Sequence, residues 1–138
     1  MTIKEYLSQA RYIEQEINAK LDHQAKLNSI IYKATSTLSD MPGSPSRDVT
    51  KRERAIAKVI DLEKEIDEDI DRLVDTKREI SKLIRRIDNS SYRLLLELRY
   101  INMATWEKIA EELDVAVRHV YRMHGNALLE ADRIWKNI

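Results

Sequence analysis

Residues 94–129 read LLLELRYINMATWEKIAEELDVAVRHVYRMHGNALL, and this stretch decides how the C-terminal part of the chain folds. Apolar residues recur at helical spacing on both sides of the short link Asp114-Val115, which predicts two helices joined by a tight turn, the pattern of a helix-turn-helix. Residues 115–129 contain no Asp or Glu, whereas the preceding helix is rich in acids. The cationic residue types in that acid-free segment are Arg118, His119, Arg122 and His124. Such segregation of charge is typical of a helix that faces an anion.

The second helix of the pair divides into an apolar face and a polar face. If Val120 points inward, the residues that follow on its face at three- and four-residue steps are Met123, Ala127, Ala131 and Ile134. Arg118 and Arg122 then lie opposite, one turn apart, with Tyr121 on the flank. Gly125 falls on the outer face too, where the missing side chain lets the backbone approach a partner closely, at a cost to the helix of about 1 kcal/mol.

Two long helices are predicted upstream, over residues 1–38 and 49–89, because both ranges carry apolar residues in heptads. The rows of the first helix are Ile3, Ala10, Ile17, Ile31 and Leu38, and Tyr6, Ile13, Leu27 and Ala34; Lys20 and Gln24 interrupt them. The rows of the second are Val49, Ile56, Ile70 and Ile84, and Val59, Ile66, Leu73, Ile80 and Ile87. Both prolines lie in residues 39–48, SDMPGSPSRD, which predicts a reversing loop.

These patterns predict an all-α fold with two domains. Residues 1–89 form a long antiparallel helical hairpin, a coiled coil with its loop at 39–48, for oligomerisation or partner binding. After a break at residues 88–91, residues 90–138 form a helix-turn-helix module that binds DNA. Thr105 is the expected N-cap of the first helix of the pair.

Composition narrows the class of protein further. The chain has 24 Lys and Arg against 24 Asp and Glu, so it is not a strongly basic protein. Any cationic surface that binds an anion is therefore confined to one part of the chain. It has no Cys, no signal peptide and no apolar run near the roughly 20 residues of a membrane span, which predicts a cytoplasmic protein without a membrane partner. Nucleophile motifs and phosphate loops are missing, and the spacing of His119 and His124 does not suit a metal pair, so we expect no catalytic residue, cofactor or metal.

One known family shares the order of residues in the module. The matching positions are Leu98-Arg99-Tyr100, Thr105, Trp106, Ile109-Ala110, Leu113, Val115 and Val120. They resemble region four of bacterial sigma factors and the regulators built on it. The chain departs from that pattern at Lys108, where Glu is usual, at Asp114, where the turn usually has Gly, and at Ala116, where a Ser or Thr cap is usual.

The resemblance implies which residues meet DNA. Val117, Arg118, Tyr121 and Arg122 would fall at base- or phosphate-facing positions, with Asn126 one turn further on. His119 is expected as a flank contact or a surface residue. The whole layout, long charged helices followed by this module, is similar to small phage-encoded transcriptional regulators of the ArpU/RinA type.

The favoured interpretation is a phage or prophage regulator that binds double-stranded DNA sequence-specifically and works as a homo-oligomer, a dimer or higher, with RNA polymerase as a further partner. Leu128, Leu129 and Trp135 support oligomerisation or docking, since they exceed what a lone three-helix module buries. The alternative is a coiled-coil assembly or adaptor protein, or a phage DNA-packaging subunit, whose helix-turn-helix serves packing or protein contact.

Overall fold

The computed structural model describes residues 1–40 and 46–138, and the side chains of 1–33 and 49–138. Every regular element in these ranges is helical, so the chain is all-α, as the sequence predicts. The helices, in order, are α1 (Ile3–Leu7), α2 (Gln9–Asp40), α3 (Ser46–Arg85), α4 (Ser90–Leu96), a π-helical turn (Glu97–Ile101) that continues α4, α5 (Trp106–Leu113) and α6 (Val117–Lys136). None of them carries an apolar stretch of the length that crossing a bilayer requires.

The two long helices extend further toward each other than the heptads predict. α2 runs to Asp40 and α3 begins at Ser46, so part of the predicted loop at 39–48 is helical. Its remaining residues, 41–45, lie outside the described residues. At the other end, residues 1–38 are not one helix, because α1 ends at Leu7 and α2 begins at Gln9.

The chain forms two compact units, whose limits differ from the predicted boundary between residues 89 and 90. One unit combines Met1–Ile13 with Arg72–Ile138, and we call it the terminal unit. The other, the hairpin unit, is Glu14–Asp71. Sequence distance does not determine the division, since Met1–Ile13 and Arg72–Ile138 contribute to the same core.

In the hairpin unit, α2 and α3 run antiparallel and polar residues join them. Lys20 Nζ lies 2.6 Å from Asp69 Oδ2, and the Gln24 side-chain amide donates to the Val59 carbonyl at 3.4 Å. The later position on α2 therefore pairs with the earlier position on α3, as in a hairpin. The hydrogen bond to Asp69 raises the pKa of Lys20. The two polar residues that interrupt the predicted seam of α2 thus find partners on α3.

Within the hairpin unit, the seam of α3 uses one predicted row and replaces the other. Ile84, from the replaced row, lies beyond this unit and is buried in the core of the terminal unit. Ile66 is buried as predicted, but Ile56 and Ile70 are 37% and 43% exposed, so their assignment to the seam is wrong. The row that faces α2 instead includes Ala55, Leu62 and Asp69, each one position earlier in the heptad. Asp69 tolerates burial because its carboxylate is paired with Lys20.

The terminal unit has one apolar core, to which α1 contributes Ile3 and Leu7 beside the helices of the C-terminal part. The largest of its fully buried side chains, those under 2% exposed, are Leu7, Ile80, Ile84, Ile87, Leu95, Leu96, Ile109 and Val120. α1 packs against α6, and the Tyr6 ring stacks on Trp135 at 5.2 Å between centroids. This contact covers Trp135, whereas Leu129 stays 71% exposed.

The link between α3 and α4 is held by side chains, and it coincides with the predicted break. Asn89 caps α4 by accepting from the backbone N–H groups of Ser91 and Tyr92 at 2.9 and 3.1 Å. Arg93 reaches back and donates to the carbonyls of Ile87 and Asp88 at 2.6 and 2.8 Å. These bonds fix where α4 starts, and through it the position of α5 and α6.

Candidate nucleic-acid interface

The turn between α5 and α6 has the local structure that its sequence predicts. Thr105 is the N-cap of α5, and its hydroxyl accepts from the Lys108 backbone N–H at 3.2 Å. Asp114 ends the helix in the left-handed conformation, with φ 55° and ψ 49°. Ala116 is the N-cap of α6 and has no side chain that could accept a hydrogen bond. The start of α6 is therefore the weaker of the two helix starts.

The inner face of α6 lies in the core at the predicted positions. Val120, Ala127 and Ala131 are completely buried, and Ile134 is 8% exposed. Met123 is partly buried and packs against the same core. This burial fixes the rotation of the helix about its axis, so the identity of the outward face follows from it.

The outward face of α6 carries two arginines and no acid over residues 117–129. Arg118 and Arg122 are exposed, and neither forms an ion pair with a residue in the described ranges. Gly125 is also exposed, and a Cβ built on it would meet nothing within 4 Å. The surface around these residues is consequently cationic and open to a large partner.

The other predicted site residues take different places on α6. Tyr121 is 52% exposed, and its ring packs edge-to-face with that of Trp106 at 5.3 Å between centroids. His119 and Asn126 are exposed. Val117 is half-buried and packs against the core, which leaves it less surface for a partner than its neighbours have. Arg118, Arg122 and Asn126 follow one another at four-residue steps and form a ridge along the helix.

His124 does not belong to the cationic face, although it lies in the acid-free segment. It is 8% exposed, and its Nε2 atom forms a 2.7 Å hydrogen bond with the hydroxyl oxygen of Tyr100. Burial, with smaller contributions from Lys4 and Arg99, lowers the pKa of His124 to about 4. Burial likewise raises the pKa of Tyr100 to about 12. His124 is therefore neutral at pH 7 and its role is in packing, which corrects the count of cations made from the sequence.

An arginine outside the predicted site lies beside it. The Arg99 guanidinium carbon lies 4.1 Å from the centre of the Trp106 ring, and Nη1 donates to the Ala104 carbonyl at 3.0 Å. Since Trp106 in turn contacts Tyr121, this cation is connected to the outward side of α6 through two rings. Burial, and then the charge of Arg11, lowers the pKa of Arg99. The sequence drew attention to Arg99 through the run Leu98-Arg99-Tyr100. The contact between Arg99 and the Trp106 ring, however, depends on the turn between the two residues, which the sequence pattern did not describe.

Cations of the N-terminal segment also lie near this cluster of rings. Lys4 and Arg11 are exposed, and their charges act on His124 and on Tyr100 respectively. No signal within residues 1–38 indicated that this segment packs beside α6. As for metals, the described part of the chain contains no group of three or more His, Cys, Asp or Glu residues placed to hold an ion.

The chain was compared with protein families, curated proteins and solved structures. A family model described as a protein of unknown function, DUF1492, matches residues 47–132. The match covers most of α3 and all of α4 and α5, and it includes the outward ridge of α6. No curated protein and no solved structure was found to match.

Proposed function

The chain belongs to the DUF1492 family, whose function is unknown, and we propose that it is a sequence-specific DNA-binding regulator of transcription. In this proposal α5, the turn at Asp114 and α6 act as a helix-turn-helix. α6 enters the major groove of double-stranded DNA with Arg118 and Arg122 toward the bases and phosphates. The observation that carries the proposal is the acid-free outward face of α6, whose arginines have no internal partner among the described residues.

The geometry of that face supports a nucleic acid over a small anion. A ridge of Arg118, Arg122 and Asn126 on four-residue steps spans about 12 Å at 1.5 Å per residue, which suits the edge of several base pairs. Gly125 leaves room for the backbone of α6 to come close to the partner. Tyr121 offers an exposed ring with a hydroxyl group beside the arginines.

The small size of this face supports a proposal about assembly. Two arginines per chain provide few phosphate contacts, and the exposed acids of α5, Glu107, Glu111 and Glu112, oppose an approach to DNA. We therefore propose that two copies bind neighbouring half-sites, as a homo-oligomer, so that their cationic faces add. Contact with RNA polymerase belongs to the same proposal, since a regulator that binds beside a promoter meets that enzyme.

Fluorescence anisotropy with labelled mixed-sequence duplex DNA tests the proposal. We expect wild-type protein to bind at low salt and to lose affinity as salt rises, because counterions are released from DNA. Replacing both arginines, Arg118→Ala with Arg122→Ala, should weaken binding by tenfold or more and reduce the slope of log affinity against log salt by about 2, one unit for each lost phosphate contact.

The matched control also removes two cations from α6. Arg133 and Lys136 are both ion-paired, with Glu130 at 3.0 Å and with Asp132 at 2.9 Å. Arg133→Ala with Lys136→Ala should leave the affinity within about twofold of wild type, since paired charges near the C-terminal end of α6 contribute little. Failure of wild type to bind, or equal losses in the two double variants, would overturn the proposal.

A further inference from the structure

A groove on the terminal unit lies among three segments that are far apart in sequence. Tyr6 of α1, Leu83 near the end of α3 and Trp135 near the end of α6 line it, and its volume is 540 Å³. Ligand sites for small molecules commonly enclose about 300–1,000 Å³. None of the residues predicted to meet DNA lines this groove, so it is a separate surface.

The apolar part of the groove is aromatic and firmly placed. The rings of Tyr6 and Trp135 are stacked at 5.2 Å with 28° between their planes. Leu83 beside them is 3% exposed and belongs to the core. Burial, and then the charge of Glu79, raises the pKa of the Tyr6 hydroxyl, so Tyr6 is neutral at pH 7. A flat apolar group would find ring surface here without displacing any side chain of the core.

Among the charged side chains of the groove, one positive charge has no counterion within the described part of the chain. Glu79 and Lys82 pair with each other at 3.2 Å, and both keep more than half of their side chains exposed. Arg86 also lines the groove and is exposed, and it forms no ion pair with any described residue. A guanidinium presents a planar pair of donors that matches a carboxylate better than any other side chain does.

We propose that this groove binds a small ligand that consists of a flat apolar body and a single carboxylate. The apolar body lies against Tyr6, Trp135 and Leu83, and the carboxylate pairs with Arg86. A neutral aromatic ligand would leave Arg86 without a partner, and an aromatic cation would meet two cationic side chains, Lys82 and Arg86, against the single carboxylate side chain of Glu79. The observation that carries the proposal is this juxtaposition of a stacked aromatic pair with an unpaired arginine.

Nuclear magnetic resonance of the full chain tests the proposal with 2-naphthoate as the probe. The chain has two tryptophans, so ¹⁵N-labelled protein gives two indole N–H signals, and Trp106→Phe assigns them. We expect 2-naphthoate to shift the Trp135 signal saturably and to leave the Trp106 signal in place. The cation 2-naphthylmethylammonium, which has the same ring system, should produce no saturable shift.

Variants then test the role of the arginine. Arg86→Ala should weaken 2-naphthoate binding by about tenfold, which corresponds to about 1.4 kcal/mol. Arg85→Ala is the matched control, since Arg85 is an exposed neighbour that does not line the groove, and it should bind like wild type. The proposal is overturned if 2-naphthoate causes no saturable shift of Trp135, if the cation binds equally well, or if both arginine variants bind like wild type.

Discussion

His124 occupies an aromatic site in which its neutral form is favoured. The rings of Trp106 and His124 pack edge-to-face at 4.8 Å between centroids, and the Tyr100 hydroxyl forms a hydrogen bond with the His124 Nε2 atom. Its pKa falls from 6.5 to about 4 on folding, mainly because of burial. The unfolded chain therefore binds a proton that the folded chain does not bind between these two values, and acid favours unfolding there.

The pH dependence of stability should report this histidine. We expect the contribution of His124 to stability to be complete above pH 6.5 and to be lost as the pH falls toward 4, by about 3 kcal/mol at 1.36 kcal/mol for each pH unit. Urea unfolding followed by tryptophan fluorescence at a series of pH values measures it. The His124→Phe variant should lack this part of the pH dependence, whereas His119→Ala, at an exposed position, should retain it. Parallel curves for wild type and His124→Phe would contradict the assignment.

At the residue level, helical periodicity placed Arg118 and Arg122 on the outer face of α6. His124 was counted with the cations, although the same periodicity applies to it. Residues 120, 124, 127 and 131 follow one another at steps of four, three and four, so the spacing placed His124 on the inner face. A histidine is polar, however, and its burial depends on a hydroxyl from another helix, here that of Tyr100. Such a partner lies 24 residues away in the chain and has no local signal.

At the level of elements, the two helices of the proposed helix-turn-helix begin with caps of unequal strength. Thr105 accepts a hydrogen bond from the first turn of α5, whereas Ala116 offers none to α6. Both residues have extended backbone angles, so a serine at position 116 would be placed to cap α6 without strain.

Substitution of the caps should change stability in opposite directions. Thr105→Ala should lower the free energy of unfolding by about 1 kcal/mol, and Ala116→Ser should raise it by about the same amount. Both tryptophans belong to the terminal unit, so urea unfolding followed by their fluorescence reports on this part of the chain. Ala116→Val, which adds volume but no acceptor, is the control for Ala116→Ser. Equal effects of serine and valine would show that capping is not the cause.

The long helices illustrate what heptad patterns leave open. Apolar residues alone favoured Ile56 and Ile70 for the seam, but the row with Leu62 and Asp69 faces α2. A buried carboxylate is acceptable there because Lys20 stands opposite, and that pairing becomes visible only when the register of the two helices is known. The sequence therefore predicted the hairpin and one row of its seam. The second row could be identified only once the ion pair between Lys20 and Asp69 was known.

At the level of the whole molecule, the N-terminal segment belongs to the fold of the C-terminal part. Ile3, Leu7 and Ala10 lie in one core with α4, α5 and α6. The sequence assigned residues 1–38 to the hairpin because the heptad row of Ile3 and Ala10 continues to Ile17. A row of apolar residues does not identify the helix that it packs against. The domain boundary is therefore the part of the architecture that sequence patterns alone could not supply.

A single substitution checks this assignment. Leu7 is completely buried, so Leu7→Ala should lower the unfolding free energy of the terminal unit by about 3 kcal/mol, although residue 7 lies far in sequence from α4, α5 and α6. Leu21→Ala is the control, since Leu21 is 45% exposed in the hairpin unit, and it should change the same signal by about 0.5 kcal/mol or less. Tryptophan fluorescence in urea distinguishes the two. A larger effect of Leu21→Ala than of Leu7→Ala would place α1 elsewhere.

We propose that the outward face of α6 contacts DNA, and the amide signal of Gly125 tests this contact most directly. The chain has only two glycines, and the signal is assigned by its loss in Gly125→Ala. When ¹⁵N-labelled protein is titrated with duplex DNA, we predict that the amide signals of Gly125, Arg122 and Asn126 shift together. The signal of Leu62, buried in the hairpin unit, should stay in place. Binding of DNA that moves other signals and leaves these three unchanged would contradict the claim.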